Sequence, residues 1–141
     1  MKDACIFCSI VAGEARAQVI GETERTLTIL DVHPASDGHA LVIPKRHCAD
    51  VLDCPEDLLG ELIAEAARTA ARLKERLGAS GVNILNANGR SAQQSVFHLH
   101  FHVVPRFEGD GLNLQLHGGS RPRAPLEEMG RLLADAADSE T

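Results

Sequence analysis

Histidine and apolar residues alternate between positions 98 and 104, and this alternation constrains the fold more than any other stretch of the chain. The residues run His98-Leu99-His100-Phe101-His102-Val103-Val104. Side chains two residues apart share one face of a β-strand. We therefore expect a strand over residues 95–105. Its three histidines should lie on one face, and Phe97, Leu99, Phe101 and Val103 on the other.

Three interpretations of this histidine row are open. It could be the polar face of a surface strand, or a zinc site made of three histidines. Three ligands on one straight strand converge poorly on a single ion, however. The third interpretation is phosphorus chemistry, because a neutral imidazole can attack a phosphoryl group and form a covalent intermediate. Like charges disfavour protonation of all three rings together, so at least one should be neutral near pH 7. The strict alternation favours the third interpretation.

The remaining hydrophobic pattern predicts an α+β domain. A long helix is expected over residues 55–77, capped by Asp53 or Cys54 and ended by Gly78, because its apolar residues recur at three- and four-residue steps. Shorter segments predict a helix over 4–12, strands over 18–22, 26–31, 39–45 and 82–87, and a C-terminal helix within 121–137. Strands at both ends around one long helix indicate a mainly antiparallel sheet of about five strands in a single domain, residues 1–141.

Composition narrows the classes of function. The net charge of −6 and the absence of Trp and Tyr disfavour a binder of nucleic-acid polymers, although a small nucleotide in a local pocket is allowed. No apolar run approaches the length of a membrane span. The first residues, MKDAC, lack the apolar stretch of a secretory signal. We therefore expect a cytoplasmic protein whose four cysteines are thiols or metal ligands.

The sequence resembles the histidine triad (HIT) superfamily. The family motif is His-φ-His-φ-His-φ-φ, with φ apolar, and residues 98–104 match it throughout. The resemblance extends from Cys5-Ile6-Phe7-Cys8 through residues 30–34 and 38–47 to Val104-Pro105-Arg106. It implies a HIT-like fold and an enzyme that acts at the α-phosphorus of small nucleotides such as AMP or GMP derivatives.

The resemblance also implies roles for individual residues. His100 would be the nucleophile, His102 would contact the α-phosphate and assist the leaving group, and His98 and His39 would belong to a supporting hydrogen-bond relay. Gln94 and Ser95 match phosphate and leaving-group contacts, and the polar loop that begins at Asn88 could add hydrogen bonds. The ribose and base would be held by Asp31 and by an apolar wall of Ile6, Phe7, Ile10, Ile29 and Val32.

Two positions in the loop depart from the family pattern. Ala87 stands where the family usually has Asn, and Gln93 stands where it usually has Gly. A side chain in place of Gly restricts the backbone angles and can block a close approach of the backbone to phosphate.

The pair Cys5-x-x-Cys8 predicts a metal site or, alternatively, helix packing or redox chemistry. Some bacterial HIT proteins with a similar pair bind zinc through it and two histidines, which correspond here to His47 and His98. The resemblance therefore implies a structural zinc held by Cys5, Cys8, His47 and His98, with Cys48 as a rival ligand, and no organic cofactor. Family members are commonly homodimers, and the same is expected here.

Alternatives to hydrolysis are a nucleotidyltransferase and a nucleotide-sensing module. The transferase branch carries Gln at the third motif position, and His102 therefore favours hydrolysis of nucleoside phosphoramidates or dinucleoside polyphosphates. A sensing module would follow if the Ala87 and Gln93 departures had removed efficient turnover.

Overall fold

The computed structural model describes residues 5–114, 116 and 118–135. Three α-helices and five β-strands follow one another along this part of the chain. In chain order they are α1 (Ile6–Val11), β1 (Val19–Glu22), β2 (Thr26–Leu30), β3 (Ala40–Pro44), α2 (Glu56–Leu77), β4 (Gly81–Leu85), β5 (Phe101–Arg106) and α3 (Leu126–Leu133).

All five strands form one antiparallel sheet in the order β1-β2-β3-β5-β4. Side chains alternate between its faces, so each face builds a separate core. Ala40 and Val42 of β3 pack with α2 on one face. Leu41 and Ile43 pack with Phe7 of α1 on the other. The mainly antiparallel sheet of an α+β fold, predicted from the sequence, is confirmed. Helix α1 covers the face that carries the side chains of Leu41 and of its strand partner His102.

The long helix α2 has nearly the predicted bounds, but its first turn differs from the prediction. Neither Asp53 nor Cys54 caps it, because Pro55 occupies the cap position and no side chain there accepts a hydrogen bond. The Asp53 carboxylate instead accepts hydrogen bonds from the N–H groups of Ala49 and Asp50, which lie just before the 3₁₀ turn Val51–Asp53. Gly78 ends the helix in the left-handed conformation, with φ of 72°, as its lack of a Cβ allows.

The last strand is shorter than predicted. It begins at Phe101 rather than at residue 95, because the preceding segment leaves the sheet. Pairing with β3 extends only to the Val42–Phe101 pair. The N–H of Leu99 donates instead to the carbonyl of Cys48 at 2.7 Å. Two of the three histidines of the row, His98 and His100, therefore lie in the irregular segment that precedes β5.

The C-terminal helix forms over Leu126–Leu133, inside the predicted 121–137. Residues 136 and 137 of that prediction lie outside the described residues, as do residues 1–4, which include the start of the predicted first helix. Among the described residues, no helix combines the length and the apolar character that a bilayer crossing requires.

Candidate active site

The ring of His100 is held by a backbone carbonyl. Its Nδ1 lies 2.8 Å from the carbonyl oxygen of His98, which can only accept a hydrogen bond. Nδ1 therefore carries the proton, and Nε2 of the neutral ring has a free lone pair. The carbonyl of His100 in turn accepts a hydrogen bond from Nδ2 of Asn86 at 3.0 Å. His100 is buried and its side chain lines a cavity.

The ring of His98 has different partners. Its Nε2 donates to the carbonyl of Pro44 at 2.8 Å, and its Nδ1 lies 3.3 Å from Sγ of Cys5. Phe7 packs edge-on against the rings of both His98 and His100. The three rings therefore do not form the row on one strand face that the alternation predicts. His98 contributes its backbone to His100 and its side chain to a cluster with the cysteines.

A chain of hydrogen bonds fixes the tautomers of the other two rings. The N–H of Ala35 donates to Nδ1 of His39 at 3.0 Å, so the His39 proton is on Nε2. That Nε2 lies 2.9 Å from Nδ1 of His102 and donates to it. Nδ1 of His102 is then an acceptor, and Nε2 of His102 carries the proton. His102 therefore presents an N–H donor next to His100, at a ring-centroid distance of 5.0 Å.

Burial keeps these two rings neutral near pH 7. Burial, together with the positive charges that His100 and His39 would carry, lowers the pKa of His102 to about 4, although the Asp31 carboxylate partly opposes this. Burial also lowers the pKa of His39, although the nearby Asp31 carboxylate partly opposes this. Neutral rings are what the hydrogen-bond chain requires, because a doubly protonated imidazole could not accept.

Asp31, His39 and His102 bring three ligand-type atoms within 4.8 Å of one another, but their tautomers do not suit a metal. Nε2 of His39, the atom that faces the other two groups, carries a proton as long as Ala35 donates to Nδ1. A metal would have to displace that proton and leave an imidazolate. Asp31 Oδ2 lies 3.5 Å from Nε2 of His39 and instead stabilises the protonated side of this ring.

The cavity beside His100 has a volume of about 350 Å³. It unites most of the residues predicted to bind substrate, which come from α1, from β2 and the turn after it, and from the segment before β5. The predicted residues that line it are Ile6, Phe7, Ile10, Ile29, Asp31, Val32, Ser95, His100 and His102. A wider, more open depression lies beside Cys8, Arg46 and His47 and is lined by neither His100 nor His102.

Two predicted residues, Asn88 and Gln94, are engaged within the loop and do not line this cavity. The amide of Gln94 is buried, where it donates to the carbonyls of Ala49 and Val96 and accepts from the N–H of Gly89. Oδ1 of Asn88 accepts from the N–H of Val51. Both side chains therefore hold the loop in shape.

Gln93 adopts the left-handed conformation, with φ of 69° and ψ of 29°. It is the only non-glycine residue with positive φ in the described part of the chain. The loop thus keeps a backbone angle that suits glycine although a side chain is present.

The residues Cys5, Cys8, His47 and His98 form a compact cluster. Their ligand atoms lie within 4.8 Å of one another. Cys5 is the N-cap of α1 and Cys8 lies one turn later, so the helix places both thiols on one side. Sγ of Cys8 lies 3.2 Å from Nδ1 of His47 and 3.6 Å from Nδ1 of His98.

These distances fit zinc. A tetrahedral zinc with ordinary Zn–S and Zn–N lengths places sulfur and nitrogen ligands about 3.6 Å apart. The tautomer of His98 also fits, because its proton is on the Nε2 that donates to Pro44 and its Nδ1 lone pair faces the thiols. A backbone carbonyl that orients a ligand histidine in this way is usual for metal sites. Cys48, the rival ligand, is not part of the cluster.

Several residues of the site were missed in the sequence. Asn86 positions the backbone of His100. The only sign of this residue in the sequence is that it lies in the same polar segment as Asn88. The cavity is also lined by residues that were not predicted, namely Arg16, Ala17, Leu30, His33, Leu41 and Val96. Of these, only Arg16 and His33 could have been noticed, because they are polar residues next to predicted strands.

Comparison with known proteins identifies the family. The model of the HIT domain matches residues 12–109. The chain belongs to the HIT family. It is 48% identical over 107 residues to an uncharacterized HIT-like protein of Methanocaldococcus jannaschii, an alignment that covers 76% of this chain and 82% of that protein.

Two solved structures show the likeness in three dimensions. A Zn-bound histidine triad family protein from Mycobacterium smegmatis is 43% identical with a TM-score of 0.78, over 94% of this chain and 92% of that chain. A hypothetical histidine triad nucleotide-binding protein from Sulfolobus tokodaii is 38% identical with a TM-score of 0.73, over 91% and 86%. The HIT-like fold expected from the sequence is thereby confirmed.

Proposed function

We propose that this HIT protein is a nucleotide hydrolase that cleaves nucleoside phosphoramidates or dinucleoside polyphosphates at the α-phosphorus. The observation that carries the proposal is the hydrogen bond from Nδ1–H of His100 to the carbonyl of His98. It leaves the Nε2 lone pair available on a ring that lines the cavity. The relative named as nucleotide-binding supports the substrate class.

In the first step, Nε2 of His100 attacks the α-phosphorus and forms a P–N bond while the bond to the leaving group breaks. The N–H at Nε2 of His102 donates a hydrogen bond to the departing atom and keeps its proton. A phosphoramidate nitrogen takes a proton from solvent and departs as the amine, whereas a polyphosphate departs as its anion. His39, hydrogen-bonded to Nδ1 of His102, keeps that proton on the side of the substrate. The product of this step is a nucleotidyl-His100 intermediate and a free leaving group.

In the second step, water attacks the same phosphorus and the P–N bond to His100 breaks. The bonding electron pair returns to Nε2 of His100, the water gives up its surplus proton to solvent, and His102 keeps its starting tautomer. A nucleoside monophosphate is released. The positions of Asp31 and of the apolar residues Ile10 and Ile29 suit a ribose and a base that extend away from the histidines along the cavity.

Mass spectrometry after mixing with adenosine 5′-phosphoramidate tests this mechanism. We expect AMP release and, in a rapidly quenched sample, an adenylyl adduct on the peptide that contains His100. H100A should give neither, whereas H33A, which changes an exposed histidine at the same cavity, should still give both. Tight AMP binding with no turnover across phosphoramidate and dinucleoside polyphosphate substrates would favour the sensing module instead.

We propose that Cys5, Cys8, His47 and His98 hold one structural zinc ion, which would tie α1 to the segment before β5. The Zn-bound relative from Mycobacterium smegmatis supports this. Metal analysis should find about one zinc per chain. C8S should lose it and lower the melting temperature, whereas C48S, at a buried cysteine outside the cluster, should retain it. Zinc retained by C8S would contradict the proposal.

We also propose that the chain is a homodimer joined along β4. This strand is at one edge of the sheet, and it exposes Ile84 by 42% and Leu85 by 38%. An exposed apolar edge is a ready site for pairing with another strand. Light scattering should give a mass near twice 15.1 kDa. I84E should be monomeric, whereas V19E, at the exposed Val19 of the opposite edge, should stay dimeric.

A further inference from the structure

Arg16 lines the same cavity as His100. Most of the other residues that line this cavity are apolar. Its side chain is exposed. Within the part of the chain that the structure describes, its guanidinium makes no ion pair or hydrogen bond. An arginine has five N–H donors and no acceptor. The cavity therefore contains a set of donors whose role the hydrolytic chemistry at His100 does not explain.

The sheet shows how far Arg16 lies from the histidines. His102 pairs with Leu41, Leu41 with Ile29, and Ile29 with Val19. Because neighbouring strands are about 4.8 Å apart, Val19 is about 14 Å from His102 across the sheet. Arg16 precedes Val19 by three residues. The chain therefore brings Arg16 to the cavity from the β1 edge of the sheet, the edge away from His102.

A nucleotide bound at His100 directs its base towards this β1 edge. The α-phosphate must be at His100, and the ribose and base extend from it past Asp31 and Ile29. The outer edge of a purine then reaches the region of Arg16. This placement rests on the proposed nucleotide function.

Guanine and adenine present different groups on that edge. Guanine has two neighbouring acceptors, N7 and O6, which match the paired donors of a guanidinium. Adenine has one acceptor, N7, beside the N6 amino group, which is a donor and cannot pair with arginine. We infer that Arg16 makes the site select guanosine nucleotides over adenosine nucleotides through paired hydrogen bonds to O6 and N7 of the base.

The ratio of kcat/KM for guanosine and adenosine 5′-phosphoramidates tests this inference. A paired contact of this kind discriminates by roughly 5- to 150-fold, and an exposed arginine should act at the lower end. We expect a ratio of roughly 5 to 10 in the wild-type protein, falling to about 1 in R16M. Methionine keeps the apolar stem and removes the donors. R76M, at an exposed arginine in the last turn of α2, should keep the wild-type ratio.

Equal turnover of both substrates, or a ratio unchanged in R16M, overturns the inference and leaves the hydrolase proposal standing. If neither substrate is turned over, calorimetry with GMP and AMP takes its place. Tighter binding of GMP that is lost in R16M supports the role of Arg16 although hydrolysis has failed. Equal binding overturns it, and binding of neither nucleotide overturns both proposals.

Discussion

The carbonyl oxygen of His98 accepts the Nδ1 proton of His100, while the His98 ring itself faces Cys5 and Pro44. One residue thus serves two neighbouring sites through different atoms. Its backbone sets the tautomer of His100, and its side chain belongs to the Cys/His cluster. Sequence spacing alone could not separate these roles, because the role of the ring depends on contacts with Cys5 and Pro44, which lie more than 50 positions away in the chain.

The first prediction concerns H98A, which removes the ring but keeps the carbonyl. We expect the protein to be less stable, because the cluster loses a ligand and the Pro44 carbonyl loses its donor. Turnover per folded molecule should stay within about tenfold of wild type, because the backbone acceptor for His100 remains. Thermal melting and kcat measured on the same samples check both statements.

H98C provides the matched variant, because cysteine is also a zinc ligand. It should recover part of the stability that H98A loses. A folded H98A protein with turnover as low as that of H100A would show that the His98 ring takes part in the chemistry.

The second prediction concerns H39A, which removes the donor that fixes the tautomer of His102. Without that donor, His102 can carry its proton on Nδ1, where it cannot reach the leaving group. We expect kcat to fall at least tenfold for a phosphoramidate with a basic amine leaving group, since removing one pre-positioned hydrogen-bond donor costs roughly 10²- to 10³-fold in kcat. A substrate with an acidic phenol leaving group should be affected much less.

Comparison of kcat for these two substrates distinguishes positioning from general damage. H33A should lower neither rate by more than a small factor, since His33 is exposed at the cavity and its ring is outside the chain from His39 to His102. An equal loss for both leaving groups in H39A would indicate a structural effect only.

The sequence predicted the sheet and the long helix because each depends on local periodicity. The alternation around His102 placed β5, and the three- and four-residue spacing placed α2. The strand prediction failed for residues 95–100, where a hydrogen bond between Leu99 and Cys48 takes the chain out of the sheet. Asn86 was also missed, since a hydrogen bond to the carbonyl of His100 leaves no trace in residue spacing.

The third prediction concerns the loop at Gln93, where a side chain occupies a left-handed backbone conformation. That conformation costs a non-glycine residue about 1–2 kcal/mol, which a glycine would not pay. Part of this stabilisation is offset, because glycine has greater conformational freedom in the unfolded chain. Q93G should therefore raise the free energy of unfolding by about 0.5–1 kcal/mol. Turnover should be little changed, because Gln94 still holds Gly89.

Urea denaturation measures the change in stability. A92G is the matched control, because Ala92 is in the neighbouring 3₁₀ turn without positive φ and should lose about 0.5–1 kcal/mol on the same substitution. A destabilised Q93G would mean that the Gln93 side chain contributes contacts that outweigh the backbone strain. A large rise in turnover would mean that it obstructs the substrate.

The fourth prediction is that acid destabilises the fold through His102. Burial lowers its pKa in the folded protein from 6.5 to about 4. Above pH 6.5 the ring is neutral in both states and pH has no effect through it. Between about pH 4 and pH 6.5 the unfolded chain binds a proton that the folded protein excludes, so the free energy of unfolding falls as the pH is lowered. The lowered pKa of His39 acts in the same direction.

Because the ring is partly exposed, we expect His102 to contribute about 2 kcal/mol of this loss. Urea denaturation at about pH 7 and about pH 4.5, with a chelator in every sample to remove effects of metal release, measures it. H102N should show a correspondingly smaller dependence on pH, with the remainder due to His39 and His98, whose pKa burial also lowers. The same dependence in H102N and wild type would show that His102 is protonated as easily in the folded protein as in the unfolded chain. In that case the donor chain from Ala35 through His39 could not hold His102 neutral, and the tautomer assigned to it would be wrong.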